Sequence, residues 1–349
     1  MFQMKILHAA DLHLDSPLAG QTAQLRKRLL SVPGKIVALC QKHGCDMLLL
    51  AGDLFDGEYT REGFLALYNA LAELKIPVFI TPGNHDFCTP GSPWMKETWP
   101  ENVHIFTHAV VESVALPQLD CRVYGAGFAA MDCPALLESF SLEGTEKYHI
   151  GILHGDPVQK NSPYNPITQP QVADSGLTYL ALGHVHKGGQ LRAGKTLCAW
   201  PGCPMGRGYD ETGEKGVLLV TVEDAVTAEF IALDYPRFYD LETEPELLPS
   251  VLPAVGNDDF YRITLVGEWE NPDMEALAAE YSRFPNLELR DRTQPPVDVW
   301  ACMGEDSLEG SFFHLLHDAL KGDEEDDRIV TLAAKIARKI LDGGEVVLP

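Results

Sequence analysis

The chain has 349 residues, 45% of them hydrophobic and 22% charged, with a formal net charge of −24. That suffices for one large core, or for a large domain and a smaller one, and it excludes fibrous, collagenous and wholly disordered chains. No apolar run approaches the ~18 residues that span a bilayer, so no membrane segment is expected.

The first half alternates apolar runs with amphipathic stretches. Strands are expected at residues 5–10, 47–51, 76–81, 103–106, 122–125, 149–153 and 177–182. Met47-Leu48-Leu49-Leu50-Ala51 and Ile150-Gly151-Ile152-Leu153 are continuously apolar or nearly so, as in strands buried on both faces of a layered α/β fold. Helices are expected at 21–43, broken at Pro33-Gly34, and at 61–74 and 134–141. Strands return at 198–200, 216–222 and 227–233. Pro245, Pro249 and Pro253 then punctuate a linker-like stretch. After it come a strand (261–266), a helix (274–284), a strand (287–290) and two helices (308–320 and 329–341). The expected organisation is a catalytic domain over 1–234, a linker and small α/β cap over 235–300, and terminal helices over 301–349.

No charged segment precedes a long apolar one near the first residue, so no signal peptide is expected. The eight cysteines form no CxxC pair and read as free thiols of a reducing cytoplasm. The balance of 27 basic against 51 acidic residues gives a polyanionic substrate no long-range attraction. A polynucleotide would need a local basic patch or a basic partner.

Five clusters of metal-binding side chains follow apolar runs. They are Asp11-Leu12-His13, Gly52-Asp53, Gly83-Asn84-His85-Asp86, His154-Gly155 and Gly183-His184-Val185-His186. Strand C-terminal ends are where open α/β sheets gather ligand-binding groups. Asp and Asn oxygens with neutral imidazoles suit manganese, iron or zinc. The i, i+2 pairs Asp11/His13 and His184/His186 would each point to one side of an extended backbone. A carboxylate such as Asp53 can bridge two ions.

In order and setting, these five blocks resemble the signature of the calcineurin-like metallophosphoesterase superfamily. The resemblance implies a four-layer α-β-β-α sandwich and two divalent cations, manganese first, with iron or zinc as alternatives. Asp11, His13, Asp53 and His186 would hold one. Asp53, Asn84, His154 and His184 would hold the other. His85 would stand over the phosphate and protonate the leaving oxygen, oriented by Asp56. Gly57-Glu58 replaces the Arg-Gly that follows that aspartate in protein Ser/Thr phosphatases, which disfavours that activity.

The opening from Leu7 to Leu18, the Leu182–Lys187 segment and the Trp200–Arg207 and Glu211–Gly216 segments resemble the SbcD/YhaO-like branch of DNA-repair exonucleases. That branch implies a DNA substrate, manganese and an SMC-type ATPase partner; a homodimer is also compatible. A stand-alone phosphodiesterase or phosphatase on small esters is the alternative, and a non-catalytic scaffold the third.

Arg207 is a candidate contact to substrate phosphate, against a surface ion pair. His8, His43, His104, His108, His149, His314 and His317 read as structural or solvated, and Asp15 as a turn or cap residue. Asp86 and Asp156 could support a ligand or form turns. Arg26-Lys27-Arg28 reads as a solvated helix face. The stripe Ile329, Leu332, Ala333, Ile336, Ala337, Ile340 packs on the chain's own body by default, with partner docking as the alternative. The run Asp323–Asp327 reads as a solvated loop.

Overall fold

The computed structural model describes residues 3–17 and 23–343. Leu18 and the first two residues of the expected 21–43 helix lie outside them. The chain divides into two compact units, Met1–Tyr239 and Asp240–Pro349.

The first unit begins β1 (Met4–Ala9), α1 (Ala23–Leu30), α2 (Val32–His43), β2 (Met47–Leu50), α3 (Arg61–Ala72), β3 (Val78–Ile80), α4 (Pro93–Lys96) and β4 (Val103–Ile105). It continues β5 (Glu112–Leu116), β6 (Cys121–Ala126), β7 (Tyr148–His154), α5 (Gln169–Ser175), β8 (Tyr179–Gly183), β9 (Lys187–Ala193), β10 (Thr196–Gly202), β11 (Gly216–Val222) and β12 (Val226–Ala232). One sheet runs β12-β11-β1-β2-β3-β4, and a second runs β5-β6-β7-β8-β10-β9. β1 to β4 are mutually parallel, as are β6, β7, β8 and β10. Their C-terminal ends therefore line up within each sheet.

Alternation builds the layers. Met4 and Ile6 of β1, Leu49 of β2, Ile150 and Ile152 of β7 and Tyr179 and Ala181 of β8 meet in one buried cluster between the sheets. The opposite face of β7 and β8 sends Leu153, Leu180 and Leu182 against Val172 of α5 and Leu177. Helix α2 packs on β1. The result is a four-layer α-β-β-α sandwich. His8 crosses the middle layer: its ring nitrogens lie 2.8 Å from Tyr179 Oη and 3.0 Å from Leu182 O. Burial depresses its pKa to about 3, so it is a neutral tie between the sheets.

Several local expectations are corrected. The helix break falls at Ser31, and Pro33 sits in the first turn of α2, where its missing N–H costs nothing. Residues 134–141, expected as a helix, form turns. The Leu136 amide donates to Asn165 Oδ1 at 2.8 Å, and buried Leu136 and Leu137 anchor the segment. The strands β5 and β9, and β13 described below, go beyond the strands expected from the sequence.

The second unit carries most of β13 (Phe238–Thr243), then α6 (Leu248–Val251), β14 (Phe260–Leu265), α7 (Met274–Glu280), β15 (Leu287–Asp291), α8 (Leu308–His317) and α9 (Glu324–Leu341). β13, β14 and β15 form a small sheet, with β14 and β15 parallel and α7 between them in sequence. Phe313 of α8 and Ala334 of α9 are buried with Val299 and Cys302. The acidic run begins α9 and is not a loop. Asp323 caps the helix, accepting from the amides of Glu325 and Asp326 at 3.1 and 3.2 Å, where carboxylates complement the helix dipole. No helix among the described residues is long and apolar enough to cross a membrane.

Candidate metal centre

The residues in question lie just past β1, β2, β3 and β8 and at the end of β7. Parallel pairing continues beyond β1 and β2: Asp11 N donates to Gly52 O at 2.9 Å, His13 N to Asp53 O at 2.9 Å and Leu14 N to Leu54 O at 2.8 Å. These bonds lock two loops in register. Asp11, His13, Asp53 and His184 all have left-handed backbone, with φ of 55°, 46°, 51° and 92°. Such conformations are costly outside glycine and collect at functional sites. The i, i+2 pairs therefore converge through left-handed turns. The extended backbone expected from the sequence is absent.

Glycine makes the close approach possible. A Cβ on Gly83 would lie 2.2 Å from Asp53 Oδ1 and 2.8 Å from His154 Cε1. Asp86 then fastens the loops together, accepting from the amides of Gly83 (2.7 Å), Leu54 (2.8 Å) and Phe55 (3.2 Å).

Two groups of ligand atoms result. Asp11, His13 and His186 form one; Asp53, His154 and His184 form the other. In the first, the Nε2 atoms of His13 and His186 are 3.1 Å apart, and Asp53 Oδ2 is 3.9 Å from His13 Nε2. In the second, Asn84 Oδ1 lies 2.9 Å from His154 Nε2 and 3.0 Å from His184 Nδ1, with Asp53 Oδ2 3.3 Å from His154 Nε2. Asp53 thus borders both.

Hydrogen bonds on the far side of the rings fix which nitrogen faces inward. His154 Nδ1 donates to Ala51 O at 3.0 Å, leaving the Nε2 lone pair toward Asn84 and Asp53. His186 Nδ1 is 2.8 Å from Glu211 Oε1, leaving its Nε2 toward His13. His184 Nε2 is 3.7 Å from Asp156 Oδ2, and its amide donates to both oxygens of Asp11 at 2.9 and 3.1 Å. Lone pairs and carboxylate oxygens therefore face one another. Only positive charge between them relieves the repulsion.

The titration behaviour agrees. Burial opposes protonation of His154, yet neighbouring Asp53 prevails and lifts its pKa to about 9. Burial likewise opposes charge on His186, but Glu211 and Asp11 raise its pKa. Burial lowers the pKa of His13, which is a neutral ring with Nδ1 left without a hydrogen-bond partner. The protons drawn in stand where divalent cations would. The donor set of carboxylates, one amide oxygen and imidazoles suits manganese, iron or zinc. The residues present therefore fit two cations.

His85 and Asp56 form a dyad beside the centre. Asp56 Oδ1 is 2.8 Å from His85 Nδ1, and the His85 amide donates to Asp53 Oδ1 at 2.9 Å. Hydrogen bonds from His13 and His85 hold the Asp56 carboxyl well below the usual range. In return Asp56 raises the pKa of His85, whose ring is 43% exposed at the mouth of the site.

Arg207 lies beside the dyad. Its guanidinium is engaged by Glu211, reaches Ser16 Oγ at 3.4 Å and stands 3.8 Å from Asp56 Oδ2. Burial raises the Glu211 carboxyl, but His186 and Arg207 more than offset this and hold it low. Glu211 is the functional residue that sequence reasoning missed. In the sequence it stands within Glu211-Thr212-Gly213 with no sign of a role, and no spacing ties it to His186. Asp15 caps the loop before α3, accepting from Thr60 N at 2.8 Å and Thr60 Oγ1 at 2.7 Å.

Comparison with known proteins bears on this geometry. A family profile described as calcineurin-like phosphoesterase matches residues 4–188, the stretch that carries all the clustered ligands. The chain belongs to that family. It is 34% identical over 259 residues to the uncharacterized metallophosphoesterase YhaO of Bacillus subtilis (strain 168), a match covering 68% of this chain and 61% of that protein. The chain thus spans less than two thirds of that relative's length. It is 24% identical over 272 residues to the SbcD component of the nuclease SbcCD from the same organism, covering 65% of this chain and 67% of that one. Among family folds of known structure, TT1561 of Thermus thermophilus aligns with 66% of this chain and 99% of its own, at 15% identity and a TM-score of 0.41.

Proposed function

We propose that the chain is a two-metal-ion phosphodiesterase acting on DNA, a nuclease subunit that works beside an SMC-type ATPase in the cytoplasm. The observation that carries the chemistry is the convergence of ligand lone pairs from both sheets on two adjoining points bridged by Asp53. Asp11, His13, Asp53 and His186 would hold one cation; Asp53, Asn84, His154 and His184 would hold the other. When bound, such a pair acidifies water and neutralises charge on a phosphoryl group.

The protein's own part follows from its hydrogen bonds. Asp56 accepts from His85 Nδ1 and so directs the Nε2–H outward. A proton at that atom is positioned for the leaving oxygen. Arg207 holds Glu211 and faces Asp56, and it keeps donor capacity for a phosphate oxygen, the contact expected from the sequence. Glu211 orients His186, and Asp86 holds the Asp53 loop.

The DNA reading is supported by the likeness to a nuclease subunit and by the open mouth of the site. The net charge of −24 implies that the grip on DNA comes from a partner. The same charge is what favours a second reading, a stand-alone phosphodiesterase on small esters. The intact ligand set argues against a scaffold. Turnover of linear DNA, a small aryl phosphodiester and a nucleotide, assayed side by side with manganese, separates these. DNA cleavage that rises on adding the ATPase co-purified with the chain supports the first reading. Turnover of the small diester alone overturns it.

A further inference from the structure

Beside His186 a cavity of about 410 Å³ opens away from the dyad, within the first unit. Its walls include Trp200 of β10 and Phe230 of β12. The indole Nε1 donates to Lys187 O at 3.0 Å, which fixes the ring. A Cβ on Gly189 would lie 2.5 Å from the indole Cζ2, so glycine is what lets the ring lie against β9. The Phe230 ring is 42% exposed. Leu218 and Ala228 complete an apolar floor.

Two ammonium groups border the same space, Lys187 and Lys215. Lys215 Nζ donates to His186 O at 3.3 Å. Neither lysine has a carboxylate ion-pair partner among the described residues. The carboxylate that shares the cavity, Glu214, is paired with Arg237 at 2.7 Å. In a chain with 51 acidic and 27 basic residues, such a local cationic rim is not the average surface. A bare phosphate would have no use for the aromatic walls. An uncharged apolar ligand would have none for the lysines. A planar ring attached to a phosphate uses both.

A second cavity, of about 480 Å³, is lined by His85, Tyr59 and Phe87 and shares no lining residue with the first. The two reach the centre through different histidines, as the two ester arms of a phosphodiester require.

We propose that the cavity beside His186 receives a nucleobase of the substrate, stacked against Trp200 and Phe230, with Lys187 and Lys215 neutralising the attached phosphate. This rests on the phosphodiesterase reading and names the substrate class: a nucleoside phosphodiester.

The test uses two substrates with one leaving group, thymidine 5′-(p-nitrophenyl phosphate) and methyl p-nitrophenyl phosphate, on the full chain with manganese. Wild-type protein prefers the nucleoside ester. Trp200→Ala and Phe230→Ala each lower the ratio of the two kcat/KM values by at least about fivefold, and Lys187→Ala lowers it less. Phe230 is half-exposed on an edge strand, so its variant stays interpretable should Trp200→Ala misfold. Independently of turnover, the affinity of metal-free protein for thymidine monophosphate, measured by calorimetry, weakens by a similar factor in Phe230→Ala. An unchanged ratio and unchanged affinity in Phe230→Ala overturn the nucleobase site. Wild-type protein that hydrolyses neither ester overturns the phosphodiesterase reading instead, and calorimetry still decides the cavity.

Discussion

Around the metal centre of the first unit, Asp11, His13, Asp53 and His154 are at most 1% exposed; on the helices of the second, Leu308 and Leu315 are 89% and 71% exposed. One region buries polar groups and the other leaves apolar groups in water. Both depart from ordinary partition, and in each case the departure marks what the region is for. In the centre, hydrogen bonds on the far sides of the rings force lone pairs inward, a cost that only bound cations offset. On α8 and α9, Leu308, Leu315, Ile329, Leu332 and Ile340 keep an apolar surface that the unit's own small core of Phe313 and Ala334 does not absorb. Docking of a partner subunit there remains a proposal.

Substitutions in the two regions should therefore differ in kind. The largest effect is expected at Asp53, which borders both ligand groups. Asp53→Asn abolishes turnover and lowers the bound manganese below two per chain, as read by elemental analysis. Next, His85→Ala lowers kcat by roughly 10²–10⁴-fold while metal content stays at two, because the ring acts on a proton and holds no cation. Equal loss of metal in that variant would move His85 into the ligand set. Glu211→Gln weakens metal affinity by about 10–100-fold, since His186 loses the carboxylate that orients it. Titration with manganese measures this directly.

A subtler effect concerns pH. Asp56 raises the pKa of His85, so the acid form is present below that pKa and is lost as pH rises through it. Removing the charge in Asp56→Asn lowers the pKa, and the alkaline limb of the kcat profile moves to lower pH. A limb that stays in place would show that another group donates the proton. The smallest effect is expected in the second unit. Leu315→Ser changes stability by no more than about 0.5 kcal/mol and leaves hydrolysis of a small diester as it was. A large fall in that activity would erase the contrast between the regions.

The sequence displays the site better than it displays the reasons for it. Apolar runs ending in glycine and ligand-type side chains locate the loops after β1, β2, β3 and β8, because strands buried on both faces leave a continuous apolar signal. Asp11 and His13 read as an extended pair, yet left-handed φ values bring them together, and that strain leaves no mark in residue spacing. Glu211 acts across 25 residues of chain on His186, a distance over which only folding decides contact. β9, with two glycines and alternating exposure at the sheet edge, lacks the apolar run that betrays an inner strand. Residues 134–141 carry helix-like periodicity, but a bond from Leu136 to Asn165, far along the chain, overrides it. The acidic run from Asp323 looks solvated in sequence, and its carboxylates instead start α9.

The most direct test is anomalous diffraction at the manganese edge from crystals grown with manganese. Two adjacent peaks are expected, one bounded by Asp11, His13, Asp53 and His186 and the other by Asp53, Asn84, His154 and His184. Peaks elsewhere, or none in protein that still turns over after exhaustive chelation, would contradict the dinuclear centre.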